Sequence, residues 1–251
     1  MRRRGRLRAA VPAVWVLIGC LLLVCLAGCN AEGERACLKA GKQVMRAYLA
    51  GRGLDASLTD IHADVLRPAA DKLIASDYVK GSFRDGGTSY DFAANAVTGA
   101  VWTSERLPEF EDSCLRHVYD CLGLDAGQCA GSCTLWVTVP AWETPRAEWD
   151  WETAYLGAVV PVDVSDMDAY AAEVLASDGD TRLAFYLACV GADLSDARWQ
   201  EVDLGPLRAA DITLCAVDTL PAAEVGYDFV QSHSGDQLSL RGGEVVYTPG
   251  T

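Results

Sequence analysis

Hydrophobic and polar positions divide the 251-residue chain into an uncharged apolar opening and a longer amphipathic remainder. From Ala9 to Gly28 no residue is charged. Beyond it, Cys37, Gly41, Val44, Met45, Tyr48 and Leu49 recur at helical spacing and predict a helix over about 33–50, ended by Gly51 and Gly53. Ser57–Leu66 fits neither period cleanly, and Arg67-Pro68 breaks it. Leu73–Arg84 predicts a strand running into the turn Asp85-Gly86-Gly87, and Ser89–Ser104 predicts one or two strands with a turn or bulge at Gly99. Leu107, Phe110, Cys114, Val118, Cys121 and Leu122 then mark a helix over Leu107–Gly123, with Pro108 in its first turn and early acids that suit its dipole. Asp125–Ser132 reads as a loop and Leu135–Val139 as a short strand.

The second half carries the clearest architectural pattern. Leu156–Val164 is an apolar strand, and Ser165 is a candidate N-cap for a helix bearing Met167, Tyr170, Ala171, Val174 and Leu175. Asp178-Gly179-Asp180 turns the chain into the apolar run Leu183–Val190. Strand, helix and strand predict a βαβ unit over 156–190 with its two strands parallel in one sheet. Ile212–Val217 and Val245–Tyr247 predict further strands. The expected fold is therefore α+β or α/β, a mixed sheet with packed helices. The expected domains are a leader at 1–28, an N-terminal α+β subdomain at 29–140, a polar connection at 141–155 and a C-terminal α/β subdomain at 156–251.

The uncharged opening follows five arginines, Arg2, Arg3, Arg4, Arg6 and Arg8, and ends in Leu26-Ala27-Gly28-Cys29. A basic n-region feeding an apolar core is the pattern of a secretory signal. The closing tetrapeptide resembles the lipobox of bacterial lipoproteins. That resemblance implies that Cys29 receives diacylglycerol, that the signal is cut in front of it, and that the domain is held on the extracytoplasmic face of the cell membrane. An uncleaved anchor would also suit about 20 apolar residues, but it ignores the tetrapeptide. Leu17-Ile18-Gly19-Cys20 is a poorer lipobox because Leu21–Leu26 would become an apolar mature N-terminus. Twin-arginine export is disfavoured by Arg6, which stands where that signal has an apolar residue. Almost no spacer separates Cys29 from the first helix, so the domain is expected close to the membrane.

Cleavage changes the charge. Five of the 21 basic residues and none of the 35 acidic ones precede Cys29, leaving 16 against 35, a side-chain net of −19. Such a balance excludes nucleic acid as a partner, because phosphates require lysine and arginine. It also disfavours an electrostatic grip on anionic lipid and leaves the acyl group as the anchor.

Of ten cysteines, Cys20 and Cys25 leave with the signal and Cys29 is acylated, so seven remain, an odd number. Outside the cytoplasm, disulfides persist, which makes Cys114, Cys121, Cys129, Cys133, Cys189 and Cys215 disulfide candidates. Cys114 and Cys121 stand about 10 Å apart along a helix, too far to bridge each other. A chain doubling back along that helix would pair Cys121 with Cys129 and Cys114 with Cys133. His117 shares their face, giving Cys-x2-His-x3-Cys-x7-Cys-x3-Cys. Five ligands exceed a closed zinc site and no Cys-x2-Cys knuckle is present, so no metal or cofactor is expected. The missing Cys-x-x-Cys also removes a thioredoxin-like motif.

His233 lies in Gln231-Ser232-His233-Ser234-Gly235-Asp236, which reads as a polar turn; no Gly-x-Ser-x-Gly elbow, phosphate loop or Gly-x-Gly-x-x-Gly occurs. Asp163, Asp166 and Asp168 suit a helix start, and neither they nor Asp178 and Asp180 supply an EF-hand pattern. Trp142, Trp149 and Trp151, interleaved with Glu143, Glu148, Asp150 and Glu152, are the candidate binding aromatics. Trp102 and Trp136 fall in predicted strands and are assigned to the core. The expected activity is that of a lipid-anchored module binding an extracytoplasmic protein, peptide or glycan. An envelope hydrolase is the alternative, and a two-lobed transport receptor has only the βαβ pattern in its favour.

Overall fold

The computed structural model describes residues 33–66, 74–137, 159–177, 181–233, 235–241 and 244–250. They fall into two compact units divided between Val101 and Trp102. The division differs from the expected connection at 141–155, which lies outside the described residues, as do Cys29, the signal segment and Trp142, Trp149 and Trp151. Among the described residues no helix is long and apolar enough to cross a membrane.

In the N-terminal unit, helix α1 (33–51) leads into a three-stranded antiparallel meander of β1 (Leu58–Leu66), β2 (Ile74–Asp85) and β3 (Thr88–Asn95). The helix ends as its glycine signal predicts, the Gly53 N–H returning to the Ala50 carbonyl. Gly86 and Gly87 both take positive φ, which matches the tight β2–β3 turn to the right-handed twist of its strands. Val79, Gly81 and Phe83 share one face of β2 and stand opposite Ala94, Phe92 and Tyr90 of β3. Helix α1 covers that face through Met45, Leu49 and Gly41, the last pressed against Val79. The ambiguous 57–66 segment proves to be an irregular strand, interrupted between Thr59 and His62 and carrying Asp60 at a φ of 53°.

At the start of the C-terminal unit, Trp102 and Thr103 of β4 (Val101–Thr103) pair antiparallel with β6 (Val160–Pro161), and α2 (Leu107–Leu122) lies between them in sequence. β5 (Cys129–Val137) opens a five-stranded mixed sheet with β7 (Thr181–Val190), β8 (Ala210–Val217), β9 (Gln237–Arg241) and β10 (Glu244–Thr248), in the order β10-β9-β8-β7-β5. Only β7 and β8 run parallel; β5–β7, β8–β9 and β9–β10 are antiparallel. Helices α2 and α3 (Met167–Ala176) cover one face, and the short α4 (Tyr227–Ser232) packs on the other. The fold is α+β.

Two local expectations are corrected. The strand begins at Cys129 instead of Leu135, so the expected Asp125–Ser132 loop is mostly strand; Asp125 caps only a short 3-10 turn before it. The strands of the expected βαβ unit at 156–190 do not share a sheet. β6 faces β4, whereas β7 has both edges occupied, by β5 and β8. An apolar strand–helix–strand pattern reports burial on both sides of a helix, not which strand is whose neighbour. The parallel crossover comes one element later, through residues 191–209, where the expected pattern had no helix to mark it. Asp166, not Ser165, caps α3, its carboxylate accepting from the Ala169 N–H at 3.0 Å.

The strand period explains the core of this unit. Cys129, Gly131 and Cys133 share one face of β5 and stand opposite Cys189, Leu187 and Phe185 of β7, which continue into Leu214 and Ile212 of β8. All of these but Gly131, whose missing side chain leaves room for Tyr119, belong to one buried cluster with Phe110, Cys114, Val118 and Leu175 from the helices. The opposite face buries Ala188 and Cys215 against Val225 and Val230.

Candidate functional site

The crossover 191–209 is the element on which the site geometry of the C-terminal unit depends. Its anchor is Trp199, buried to 1% exposure, whose indole N–H donates to the Asp193 carbonyl at 2.9 Å. The Arg198 guanidinium lies over the same ring, 4.4 Å from its centroid. Asp196 caps the turn by accepting from the Arg198 N–H, and Asp193 binds both the N–H and the hydroxyl of Ser195. The Ser195 hydroxyl, and then its N–H, hold the Asp193 carboxyl below the usual carboxylate range.

Two concavities flank this anchored segment. The larger is a groove of about 810 Å³ between the later part of the crossover and the β8–β9–β10 end of the sheet. Val202, Leu204, Leu207, Ile212, Leu240 and Val245 supply apolar lining, and Asp203, Arg208, Arg241 and Glu244 supply charges of both signs. Arg208 is steadied by its Nε donating to the Gly205 carbonyl at 3.0 Å, and Arg241 pairs with Asp211 at 3.3 Å. β10 is an edge strand, with Val246 and Tyr247 exposed.

The smaller is a cavity of about 230 Å³ on the earlier part of the crossover, where Gly191, Ala192, Asp193, Asp196 and Arg198 meet Asp125, Cys129 and Cys189. Cys129 and Cys189 are direct cross-strand partners and their sulfurs lie 2.8 Å apart. Burial, reinforced by these two neighbours, pushes the Tyr119 phenol up to about 12.

The remaining sequence candidates are dispersed. None of the seven described cysteines is disulfide-bonded. The structure brings Cys133 to Cys114, whose hydrogen bond together with burial drives the Cys133 thiol far up. It does not pair Cys121 with Cys129. Cys129 meets Cys189 instead, while Cys121 is half-buried at the end of α2, where burial, then Asp120 and Asp203, push its thiol up. Cys215 lies on the other face of the sheet, bonded to the Leu187 carbonyl, with its pKa pushed up to about 11 by burial. His117 and the cysteines around it do not converge. Its Nε2 is 3.0 Å from the Asp168 carbonyl, and among the described residues no group of three or more His, Cys, Asp or Glu is placed to hold a metal ion.

His233 is spent structurally. Its Nε2–H donates to the Ala216 carbonyl at 2.7 Å, and the ring stacks on Phe229. Asp168 binds Arg116 and so ties α3 to α2. Trp102 is buried, as its strand position predicts. The sequence reading missed the groove, the Trp199 anchor and the meeting of Cys129 with Cys189. The apolar spacing Val202, Leu204 and Leu207 was the one local signal for the groove, but only the order of β8, β9 and β10 brings its other wall into place.

No known protein family, curated protein or solved structure matches this chain.

Proposed function

We propose that the chain is a lipid-anchored extracytoplasmic binding module that seats an extended peptide in the groove of its C-terminal unit. The observation that carries this reading is a groove of about 810 Å³ that combines apolar lining with charges of both signs. That size lies within the range of ligand sites. Apolar side chains supply affinity there, while Asp203, Glu244, Arg208 and Arg241 set orientation and register. The edge strand β10 runs along the rim and offers backbone groups to an extended chain. The lipobox-like Leu26-Ala27-Gly28-Cys29 supports the anchor, and the excess of acidic side chains argues for a partner other than nucleic acid.

The test uses the full lipidated protein in detergent with a mixed-sequence hexapeptide library, read by amide hydrogen exchange. Slowed exchange in Val202–Arg208 and Glu244–Val246, lost in Leu204→Asp, is the expected result. Unchanged exchange in both segments at millimolar peptide refutes the binding site. Independently, Cys29→Ala should abolish labelling by a fatty-acid analogue, and persistent labelling would refute the anchor.

A further inference from the structure

We propose that Cys129 and Cys189 form a thiol–disulfide exchange centre, opening onto the 230 Å³ cavity and reacting with a small cationic disulfide. The inference does not depend on where the chain is anchored or on what the larger groove binds. Directly opposed residues on antiparallel strands have α-carbons about 4.5–5.5 Å apart, inside the range of about 4.4–6.8 Å that a disulfide spans. Cys129 and Cys189 occupy such a position, and their sulfurs are already 2.8 Å apart. Closing the bond therefore asks for side-chain rotation and no new backbone path. No Cys-x-x-Cys motif is required, because the sheet brings together two thiols that are 60 residues apart in sequence.

The two sulfurs are not equivalent. Cys129 retains 8% exposure and Cys189 1%. The hydrogen bond between the sulfurs holds the Cys129 thiol below its ordinary pKa, against the opposing effect of burial. The same bond and burial drive Cys189 up. Cys129 is thus the attacking sulfur and Cys189 the resolving one. Around the cavity stand Asp125, Asp193 and Asp196, all exposed, against one cation, Arg198, so a cationic disulfide is favoured over an anionic one.

The chemistry balances as a two-electron exchange. The Cys129 thiolate attacks one sulfur of the small disulfide, breaking its S–S bond, forming a mixed disulfide and expelling one thiolate. Cys189 then loses its proton and attacks the Cys129 sulfur, forming the Cys129–Cys189 bond and expelling the second thiolate. The protein thiols are oxidised, the small disulfide is reduced, and the two protons end on the two released thiols.

The experiment takes the reduced full chain in detergent, freed of reductant, and adds cystamine. Samples are quenched with acid and N-ethylmaleimide at increasing times and mapped as peptides by mass spectrometry. The expected course is a transient cysteamine adduct on Cys129, then a linked 129/189 peptide lighter by two hydrogens. In Cys189→Ser the Cys129 adduct should persist, and in the wild type cystamine should outpace the anionic 3,3′-dithiodipropionate by a several-fold larger ratio than it does with free 2-mercaptoethanol, whose ratio reports their different leaving thiols alone. The wild-type time course decides the matter even where a variant fails to fold. A first adduct on Cys189, linkage of Cys129 to any other cysteine, both thiols remaining maleimide-reactive, or a rate ratio between the two disulfides no larger than that of 2-mercaptoethanol would each overturn the proposal.

Discussion

Trp199 is the position at which the structure makes its sharpest energetic demand. Its ring is essentially removed from solvent, and its N–H is satisfied by the Asp193 carbonyl within the same crossover. Trp199→Ala deletes the whole ring from a packed site, which typically costs about 3–5 kcal/mol. That is a large fraction of the roughly 5–15 kcal/mol that holds a domain folded. Trp199→Phe keeps most of the apolar area and removes the donor. The Asp193 carbonyl still receives the Asp196 N–H at 3.4 Å, so the loss should stay near the cost of one net hydrogen bond plus some area, about 1–2 kcal/mol. Arg198→Ala removes only an exposed cation from the ring face, about 0.5–1 kcal/mol. The assay is urea unfolding followed by far-ultraviolet circular dichroism, with hydrogen exchange across 191–209 to show where the loosening occurs. The order Ala, then Phe, then Arg198→Ala should hold, and faster exchange should reach both concavities because the crossover lines each of them. A Trp199→Ala cost below about 1.5 kcal/mol, or the Phe variant costing as much as the Ala variant, would refute the anchoring role.

Gly131→Ala should destabilise the C-terminal unit by about 1–3 kcal/mol, because an added methyl would lie 2.4 Å from Leu187 Cδ2 and 2.9 Å from the Tyr119 hydroxyl; thermal denaturation reads the change, and a neutral variant would show that the α2–β5 contact yields easily. The Arg116 hydrogen bond, followed by that of Ser113, holds the Asp168 carboxyl below its ordinary value. The folded pKa thus lies below the unfolded one of about 3.9, so this contribution is present above that pH and is lost as pH falls through the folded value. Arg116→Ala should raise the Asp168 titration midpoint seen by carboxyl NMR, and an unchanged midpoint would remove Arg116 as the cause.

The parts of the fold legible in the sequence are those whose signals are local. Gly51 and Gly53 ended α1, Pro108 and Gly123 framed α2, and Asp85-Gly86-Gly87 marked the β2–β3 hairpin, because each reports a backbone condition imposed by its own residues. Strand partnership was not legible. Val160 of β6 and Leu183, Phe185 and Leu187 of β7 are all buried, yet β6 and β7 bury against different neighbours, and no residue between them encodes that choice. The start of β5 was hidden for another reason: Cys129-Ala130-Gly131-Ser132 is small and polar enough to resemble a loop, because the strand must leave room there for Tyr119 and Leu187.

That hidden strand start also concealed the cysteine geometry. With Cys129 in a loop folding back on α2, Cys121 is the thiol expected to meet it, and Cys114 the one expected to meet Cys133. With Cys129 and Cys133 two side chains apart on one face of β5, α2 meets Cys133 through Cys114 and lays Tyr119, not Cys121, beside Cys129. Cys129 is left facing its strand partner across the ladder. The register that sets Cys133 against Phe185 also sets Cys129, four positions along, against Cys189, and a one-residue slip would turn every apolar side chain of β7 to the other face. The cysteine pair is therefore a consequence of the same register that buries Leu183, Phe185 and Leu187, and a variant that shifts this register would lose the exchange chemistry and the core together.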